Sequence, residues 1–209
     1  MIDLGGRVAI VTGAGRGLGR AHARLLAQRG AAVLVNDLDA PQAEAVAGEI
    51  VAAGGQARAV PGSAADPAQV QALVDAALAA WGRVDIAVAN AGLLRDRSFG
   101  NLGEDDIRAV LEVHLLGGFH LCKAVWAPMR AQQYGRIVLT TSSSGLYGNF
   151  GQANYAAAKM GLVGLICRPW RWRARSTASG STAWRRPPRP GCWRASCRPS
   201  SWRCWIRSR

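Results

Sequence analysis

The chain has 209 residues, which is the length of one globular domain and enough to bury a core without disulfides or metals. Its 49% hydrophobic and 19% charged residues exclude a disordered or collagen-like chain. Arg, Asp or Gly interrupts the apolar runs within about ten residues, so no membrane span is expected. The first residues, MIDLGGRVAI, lack the basic flank and cleavage site of a secretory signal. We therefore expect a cytoplasmic protein without a membrane partner.

The formal net charge of +13 is concentrated near the C-terminus. Residues 167–209 contain twelve Arg and no acidic residue, whereas residues 1–166 hold fourteen basic and thirteen acidic residues. Six of the eight Trp and four of the five Cys also lie in the last stretch. The composition therefore predicts two parts, a domain over residues 1–166 and a tail over residues 167–209.

Short β-branched runs alternate with longer Ala-rich stretches along the first 166 residues. The predicted strands are 7–11, 32–35, 58–60, 84–89 and 136–141. The predicted helices are 18–29, 41–53, 67–80, 111–130 and 155–166. This alternation is typical of an α/β protein with a doubly wound parallel sheet. Such sheets bind ligands at the carboxyl ends of their strands.

A glycine-rich turn, TGAGRGLG, follows the first predicted strand and opens a helix. Glycines let the backbone approach a pyrophosphate, which then lies on the N-terminus of the helix. An ordinary tight turn between strand and helix is the alternative interpretation. The candidate cofactor-binding residues of the turn are Thr12, Gly13, Arg16, Gly17, Leu18 and Gly19.

Asp37 ends the second predicted strand, 24 residues after Gly13. A carboxylate at this place can accept hydrogen bonds from both ribose hydroxyls of adenosine. Its charge would repel a 2′-phosphate, so NAD is favoured over NADP. Arg16 favours NADP, because a basic side chain in the turn could meet that phosphate. A helix N-terminal acid is the alternative interpretation of Asp37.

TGAGRGLG, then VANAG at residues 88–92, then Ser142, Tyr155 and Lys159 together resemble the short-chain dehydrogenase/reductase family. The resemblance covers residues 1–166. It implies a Rossmann-type fold, a nicotinamide cofactor, and a catalytic group that interconverts a secondary alcohol and a ketone. It also implies a homo-oligomer with the active-site helix in the interface, which the shortened helix of this chain opposes. The further cofactor contacts that it implies are Asn90, Ala91, Gly92, Tyr155 and Lys159.

The spacing of Tyr155 and Lys159 supports such chemistry independently, because residues four apart share one face of a helix. A phenol with a pKa of about 10 needs about 4 kcal/mol to act as a base near neutrality. One cation about 4 Å away, at an effective dielectric of about 20, supplies roughly that amount. Ser142 follows the fifth predicted strand, where its hydroxyl could orient the substrate oxygen. A surface helix pair is the alternative interpretation.

Two positions depart from the family. His114 stands where the family usually has an Asn that serves a proton relay. Because an imidazole can donate, accept and titrate near neutrality, His114 is a candidate catalytic residue, and a satisfied helix histidine is the alternative. Ser63 replaces an Asp that often contacts adenine, and it is a candidate cofactor contact.

Three stretches resemble one branch of the family, the (3R)-hydroxyacyl-CoA dehydrogenase units of multifunctional enzymes of type 2. They are LLRDRSF at 93–99, VHLLGGF at 113–119 and SGLYGNFGQANYAAAK at 144–159. The last stretch is also similar to 3-oxoacyl-acyl-carrier-protein reductases, which remain an alternative. The resemblance implies a 3-hydroxyacyl or 3-oxoacyl thioester substrate in fatty acid metabolism.

The tail shows no hydrophobic period of 2 or 3.6, and Pro169 should end the helix before it. A basic, aromatic arm that binds nucleic acid is one interpretation. A zinc site is not expected, since the tail has no CxxC pair and no His. The favoured interpretation is a frameshift. With suitably chosen codons, shifting the register of residues 176–190 yields KYGIRVNRLAPTAAT, and IRVN resembles the family's sixth strand. We therefore expect a disordered tail, a C-terminally incomplete sheet and impaired activity.

Overall fold

The structure is a computed structural model that describes residues 2–167. Within this part of the chain, five strands form one parallel sheet: β1 (Val8–Val11), β2 (Ala32–Val35), β3 (Gln56–Ala59), β4 (Ile86–Ala89) and β5 (Arg136–Leu139). The helices are α1 (Gly17–Gln28), α2 (Ala40–Ala52), α3 (Pro67–Trp81), α4 (Glu104–Leu111), α5 (Gly117–Ala131), α6 (Ser143–Tyr147) and α7 (Ala153–Cys167). The predictions of a disordered tail, a frameshift and a C-terminally incomplete sheet concern residues outside the described part of the chain.

The strand order is β3-β2-β1-β4-β5, so the chain builds outward from β1 in one direction and then returns to build in the other. Neighbouring strands are parallel, with Ile10 paired to Leu34 on one side and to Ala87 on the other. The predicted doubly wound parallel sheet is confirmed. The change of direction lies between β1 and β4, where such sheets form a crevice at the carboxyl ends of the strands.

Both faces of the sheet are covered, because alternate residues of β1 and β2 pack in opposite directions. Ile10 and Leu34 belong to a cluster that includes Leu73 of α3 and Leu121 of α5. On the other face, a second cluster contains Val11, Val33 and Val35 of the strands, together with Ala23 of α1 and the Val46 and Ile50 side chains of α2. This burial on two sides explains why these strands read as continuous apolar runs.

The long helix predicted at 111–130 differs most from the structure. The helix begins earlier, at Glu104, as α4. The three acidic residues that follow Gly103 lie in its first turn, where negative charge interacts favourably with the helix dipole. Residues Glu112–Leu116 then form a π turn before α5. A further short helix, α6, begins after Ser142 and was not predicted. The predicted strands agree with the structure within about two residues at either end.

Asp85, at the amino end of β4, is fully buried and anchors that edge of the sheet. It accepts two hydrogen bonds of 2.7 Å from Arg83, one of 2.9 Å from Arg7 and one of 3.0 Å from the Val8 amide. Burial alone would raise the pKa of Asp85. The hydrogen bonds from Arg83, the Val8 amide and Arg7 together outweigh burial and lower that pKa. The carboxylate is therefore held in its charged form.

Candidate active site

The glycine-rich turn connects β1 to α1 at the carboxyl edge of the sheet. Gly13 has a φ of +61°, and a Cβ on it would lie 2.6 Å from the Cα of Ala91. A Cβ on Gly19 would collide with the carbonyl oxygen of Gly13. Arg16, the residue before α1, makes no side-chain hydrogen bond to the first turn of the helix. The turn therefore presents an uncapped helix N-terminus, which suits a phosphate.

Hydrogen bonds join the glycine-rich turn to the residues after β4. The Thr12 hydroxyl accepts from the amides of Asn90 (3.1 Å) and Ala91 (3.2 Å). In return, the Asn90 side chain donates to the carbonyl oxygens of Thr12 (3.1 Å) and Gly13 (2.9 Å). The structure thus brings together the two motifs that the sequence separates by more than seventy residues.

Asp37 lies at the end of β2 with only 9% of its surface exposed. One carboxylate oxygen accepts from the Gly15 amide at 2.9 Å, and the other accepts from the Asp39 amide at 3.1 Å. Asp39, and not Asp37, caps α2 by accepting from Gln42. The interpretation of Asp37 as a helix-capping acid is therefore wrong. Each of its oxygens retains acceptor capacity for a ligand hydroxyl.

The residues after β3 lie beside this end of β2. The hydroxyl of Ser63 accepts from the Ala65 amide at 3.2 Å, and its own amide donates to Gln69 at 2.8 Å. Buried Asn36 donates to the carbonyl oxygens of Val60 and Gly62, both at 3.0 Å, and so ties the two strand ends together. Arg16 and Leu18 are exposed at the glycine-rich turn, where a ligand can reach them.

Lys159 is buried on α7, with only 3% of its surface exposed. Its ammonium donates to the carbonyl oxygen of Thr140 at 2.6 Å and lies 5.5 Å from the centroid of the Tyr155 ring. Burial lowers the pKa of Lys159 from 10.5 to about 8. The predicted pair therefore shares one face of a helix, with the cation beside the phenol ring.

His114 lies in the π turn, with its ring perpendicular to that of Tyr155 and 5.1 Å from it. Nε2 of His114 is 2.8 Å from the Leu93 carbonyl oxygen, and it donates there when it carries the proton. Nδ1 is then a buried acceptor without a hydrogen-bond partner among the described residues. A Cβ on Gly92 would overlap the imidazole, so the glycine leaves room for it.

The ionisation of His114 differs from the sequence prediction. Burial, and then the positive charge of Lys159, lower its pKa to about 4, although the Leu93 backbone partly opposes them. The expectation that His114 titrates near neutrality is therefore wrong. Its ring is neutral at physiological pH and acts through hydrogen bonds.

Ser142 lies three residues beyond β5, at the start of α6. Its oxygen accepts from the Ser144 amide at 3.2 Å, which leaves the hydroxyl hydrogen available to a bound oxygen. A Cβ on Gly145 would lie 3.2 Å from the Cβ of Lys159, so the first turn of α6 lies against that side chain. Ser142, Tyr155, Lys159 and His114 consequently belong to one region at the carboxyl edge of the sheet.

Two loops beside Tyr155 are hydrogen-bonded to each other: the β4–α4 loop (residues 90–103) and the α6–α7 loop (residues 148–152). The Arg97 amide donates to the Gly151 carbonyl oxygen at 2.9 Å, and Gln152 donates to Asp96 at 2.9 Å. Asn154, at the start of α7, also reaches the first loop. Apart from its place directly before Tyr155, Asn154 carries no sequence signal that singles it out.

Two classes of site are not found in residues 2–167. No three His, Cys, Asp or Glu side chains are grouped so that they could hold a metal ion. Nor does any helix of this part combine the length and apolar character needed to cross a membrane.

Comparisons with known proteins agree with this geometry. A family model described as short chain dehydrogenase matches residues 7–168. The chain is 52% identical over 169 residues to the peroxisomal multifunctional enzyme type 2 of Drosophila melanogaster, covering 77% of this chain and 28% of that protein. It is 43% identical over 165 residues to a 3-oxoacyl-(acyl-carrier-protein) reductase of Synechocystis, covering 78% and 67%. This chain therefore spans little more than a quarter of the multifunctional relative.

A solved structure gives the same result. The crystal structure of a short chain dehydrogenase from Mycobacterium avium matches with a TM-score of 0.73 and 42% identity, covering 78% of this chain and 61% of that one. The family match ends at residue 168, where the composition of the chain changes.

Proposed function

The chain belongs to the short-chain dehydrogenase/reductase family, and from this premise we propose that it interconverts 3-hydroxyacyl and 3-oxoacyl thioesters with NAD. The observation that carries the proposal is the buried Lys159 ammonium beside the ring of Tyr155, at the edge that also holds the glycine-rich turn. The 3-oxoacyl group appears in the name of the Synechocystis relative. The resemblance to (3R)-hydroxyacyl-CoA dehydrogenase units favours CoA as the carrier, and an acyl-carrier-protein thioester is the alternative.

The catalytic residues handle the proton of the reaction. When bound, a nicotinamide cofactor supplies the hydride acceptor or donor. Tyr155 takes the hydroxyl proton of the alcohol in oxidation and returns a proton to the ketone oxygen in reduction. The Lys159 ammonium favours the ionised phenol electrostatically. Ser142 donates its hydroxyl hydrogen to the substrate oxygen and orients it.

His114 completes this group as a neutral residue. When Nε2 carries the proton, the buried Nδ1 can accept a hydrogen bond, and burial together with the nearby charge of Lys159 disfavours protonation of the ring. We assign it a relay role that depends on hydrogen bonding and not on titration of the imidazole.

The cofactor would lie across the turn between β1 and α1. A Cβ on Gly13 or Gly19 would collide with neighbouring backbone at this turn, so the glycines keep the turn compact. The uncapped start of α1 offers amides to a pyrophosphate. The acceptor oxygens of Asp37 suit ribose hydroxyls and repel a 2′-phosphate, which supports NAD over NADP. The residues that would surround the cofactor are Thr12, Gly13, Arg16, Gly17, Leu18, Gly19, Ser63, Asn90, Ala91 and Gly92.

The two compositional parts of the chain also have proposed roles. We assign residues 1–166 to the NAD-binding domain and residues 167–209 to an out-of-frame reading, and the end of the family match at residue 168 supports this division. A homo-oligomer is supported by the half-exposed Leu116, Phe119 and Met160 of neighbouring helices. The cytoplasmic location remains a prediction from the sequence, and nothing in residues 2–167 favours a nucleic-acid partner.

The test is the change in nicotinamide absorbance with 3-hydroxyacyl-CoA and NAD, measured on the printed chain and on a frame-restored chain. We expect turnover by the frame-restored chain, little by the printed chain, and none after Tyr155→Phe in either. Turnover only with acyl-carrier-protein thioesters would support the alternative carrier. Inactivity of the frame-restored chain toward both carriers would overturn the proposed substrate, and equal turnover by the two chains would overturn the assignment of the tail.

A further inference from the structure

Asn154, the residue before Tyr155, is buried with 3% of its surface exposed. Its side-chain nitrogen donates to the carbonyl oxygens of Arg95 at 3.0 Å and Asp106 at 3.3 Å. Its side-chain oxygen accepts from the amide of Tyr155 at 2.8 Å. Both hydrogens and the oxygen of this carboxamide are engaged, so the side chain is fixed in one orientation.

Two of these bonds satisfy groups that lack regular partners. The Tyr155 amide is in the first turn of α7, where amides have no intrahelical acceptor. The Arg95 carbonyl belongs to the β4–α4 loop, outside the sheet. A single buried side chain thus joins three segments: this loop, the first turn of α4 and the first turn of α7. Losing it would leave part-buried polar groups unpaired, which is more costly than losing an exposed contact.

The β4–α4 loop also contacts His114. Leu93, two residues before Arg95, contacts Nε2 of His114 through its backbone, and the His114 ring lies against Tyr155. The contacts therefore form a closed circuit from Asn154 through the loop to His114, on to Tyr155, and back to Asn154. The other two bonds between the loops, from Gln152 and from the Arg97 amide, involve exposed residues.

We propose that Asn154 is a positioning residue: its carboxamide holds residues 93–98 against the start of α7 and so fixes the direction of the Tyr155 side chain. The proposal rests on the proposed function in one respect, the role of Tyr155 in proton transfer. The link between the two segments does not depend on the substrate. A shift of about 1 Å in a reacting group can reduce turnover by about 100-fold, so loss of this link should lower kcat.

Asn154→Asp separates positioning from simple helix capping. The aspartate keeps an oxygen for the Tyr155 amide, but its other oxygen faces the carbonyl oxygens of Arg95 and Asp106. A protonated carboxyl can donate to only one of these two oxygens, and an ionised one can donate to neither. Asn154→Ala removes all three bonds. Asn149→Ala is the matched control, because Asn149 is an exposed residue of the α6–α7 loop whose side chain donates to the Gln152 side chain, and the substitution keeps its backbone bond to the Gln152 amide.

Hydrogen exchange followed by mass spectrometry on the full chain is the first readout. We expect Asn154→Asp to accelerate amide exchange in residues 93–98 by about tenfold or more, since the loop then opens locally. Peptides from β1 should be unchanged, and Asn149→Ala should match the parent chain. The second readout is kcat in the frame-restored chain, expected to fall roughly 10- to 100-fold in Asn154→Asp, with the Kd for NAD unchanged.

Three results decide the matter. Unchanged exchange in residues 93–98 with unchanged kcat overturns the proposal. Faster exchange everywhere, β1 included, with a loss of activity that follows the folded fraction, also overturns it and leaves only a structural role. If the frame-restored chain fails to turn over any thioester while the loop still responds to Asn154→Asp, the proposed function is wrong and the positioning link stands.

Discussion

Replacing Lys159 by Met tests the cost of burying a charge at the active site. The fall of the Lys159 pKa from 10.5 to about 8 corresponds to about 3 kcal/mol of lost stability while the side chain is charged. Against this, Met leaves the Thr140 carbonyl oxygen without its 2.6 Å bond, which costs about 1–3 kcal/mol. Near pH 7 we therefore expect the free energy of unfolding of the variant to equal that of the parent or to exceed it by up to about 2 kcal/mol.

The effect of Lys159→Met on the free energy of unfolding changes sign with pH. Because the folded pKa lies below the unfolded one, the unfolded chain binds more protons between about pH 8 and 10.5, and parent stability rises with pH there. Above this window Lys159 is neutral in both states but still bonds Thr140. The parent should then be the more stable protein, by about 1–3 kcal/mol.

Urea unfolding of both full chains, followed by circular dichroism at several pH values, gives the difference in the free energy of unfolding. In the frame-restored chain, the same substitution should abolish turnover, because it removes the cation beside Tyr155. A difference that stays constant with pH would refute the argument that Lys159 is buried as a charge. A variant less stable than the parent by more than about 3 kcal/mol near pH 7 would refute it too, since that exceeds the loss of one hydrogen bond.

Three further outcomes are expected. Asp37→Ala should lower the ratio of kcat/KM for NAD over NADP by about tenfold in the frame-restored chain, and an unchanged ratio would contradict its contact with the ribose. Gly19→Ala should abolish NAD binding in calorimetry because its Cβ meets the Gly13 carbonyl, whereas Gly48→Ala, with open space around it, should bind normally. Asp85→Asn should reduce the free energy of unfolding by about 3–5 kcal/mol near pH 7. This difference between parent and variant should narrow below about pH 4, as the parent carboxylate is protonated. A difference that persists in acid would contradict the conclusion that Asp85 is buried as a charge.

Local patterns were enough to predict most of the fold. Val8–Val11 and Ala32–Val35 are short β-branched runs bounded by turns, and they form central strands. The helix predicted at 67–80 begins directly after Asp66, whose carboxylate accepts from the Ala68 amide at 2.8 Å. In each case the signal lies within a few residues, because strand burial and helix capping are properties of a short segment.

The parts of the site that the sequence does not predict depend on contacts between distant segments. Asn154 bonds Arg95 and Asp106, which lie 59 and 48 residues earlier in the chain. The pKa of His114 depends on its burial and on Lys159, neither of which a helical window contains. The residue types of the site could therefore be predicted, whereas their ionisation and mutual positioning could not.

The π turn at Glu112–Leu116 makes this helix intolerant of changes in length. A π turn contains one residue more than an α-helical turn, and each residue rotates a helix by about 100°. Deleting one residue here would turn Gly117 and Gly118 away from Ala64 and Leu162. Larger side chains would then take their places, where even a Cβ would lie 3.0 Å from the Ala64 carbonyl oxygen or 2.6 Å from a terminal methyl of Leu162. Keeping the glycines in place would instead displace the imidazole from Gly92. Insertions and deletions among relatives of this chain should therefore fall outside residues 110–121, in segments whose two ends are not both fixed by packing.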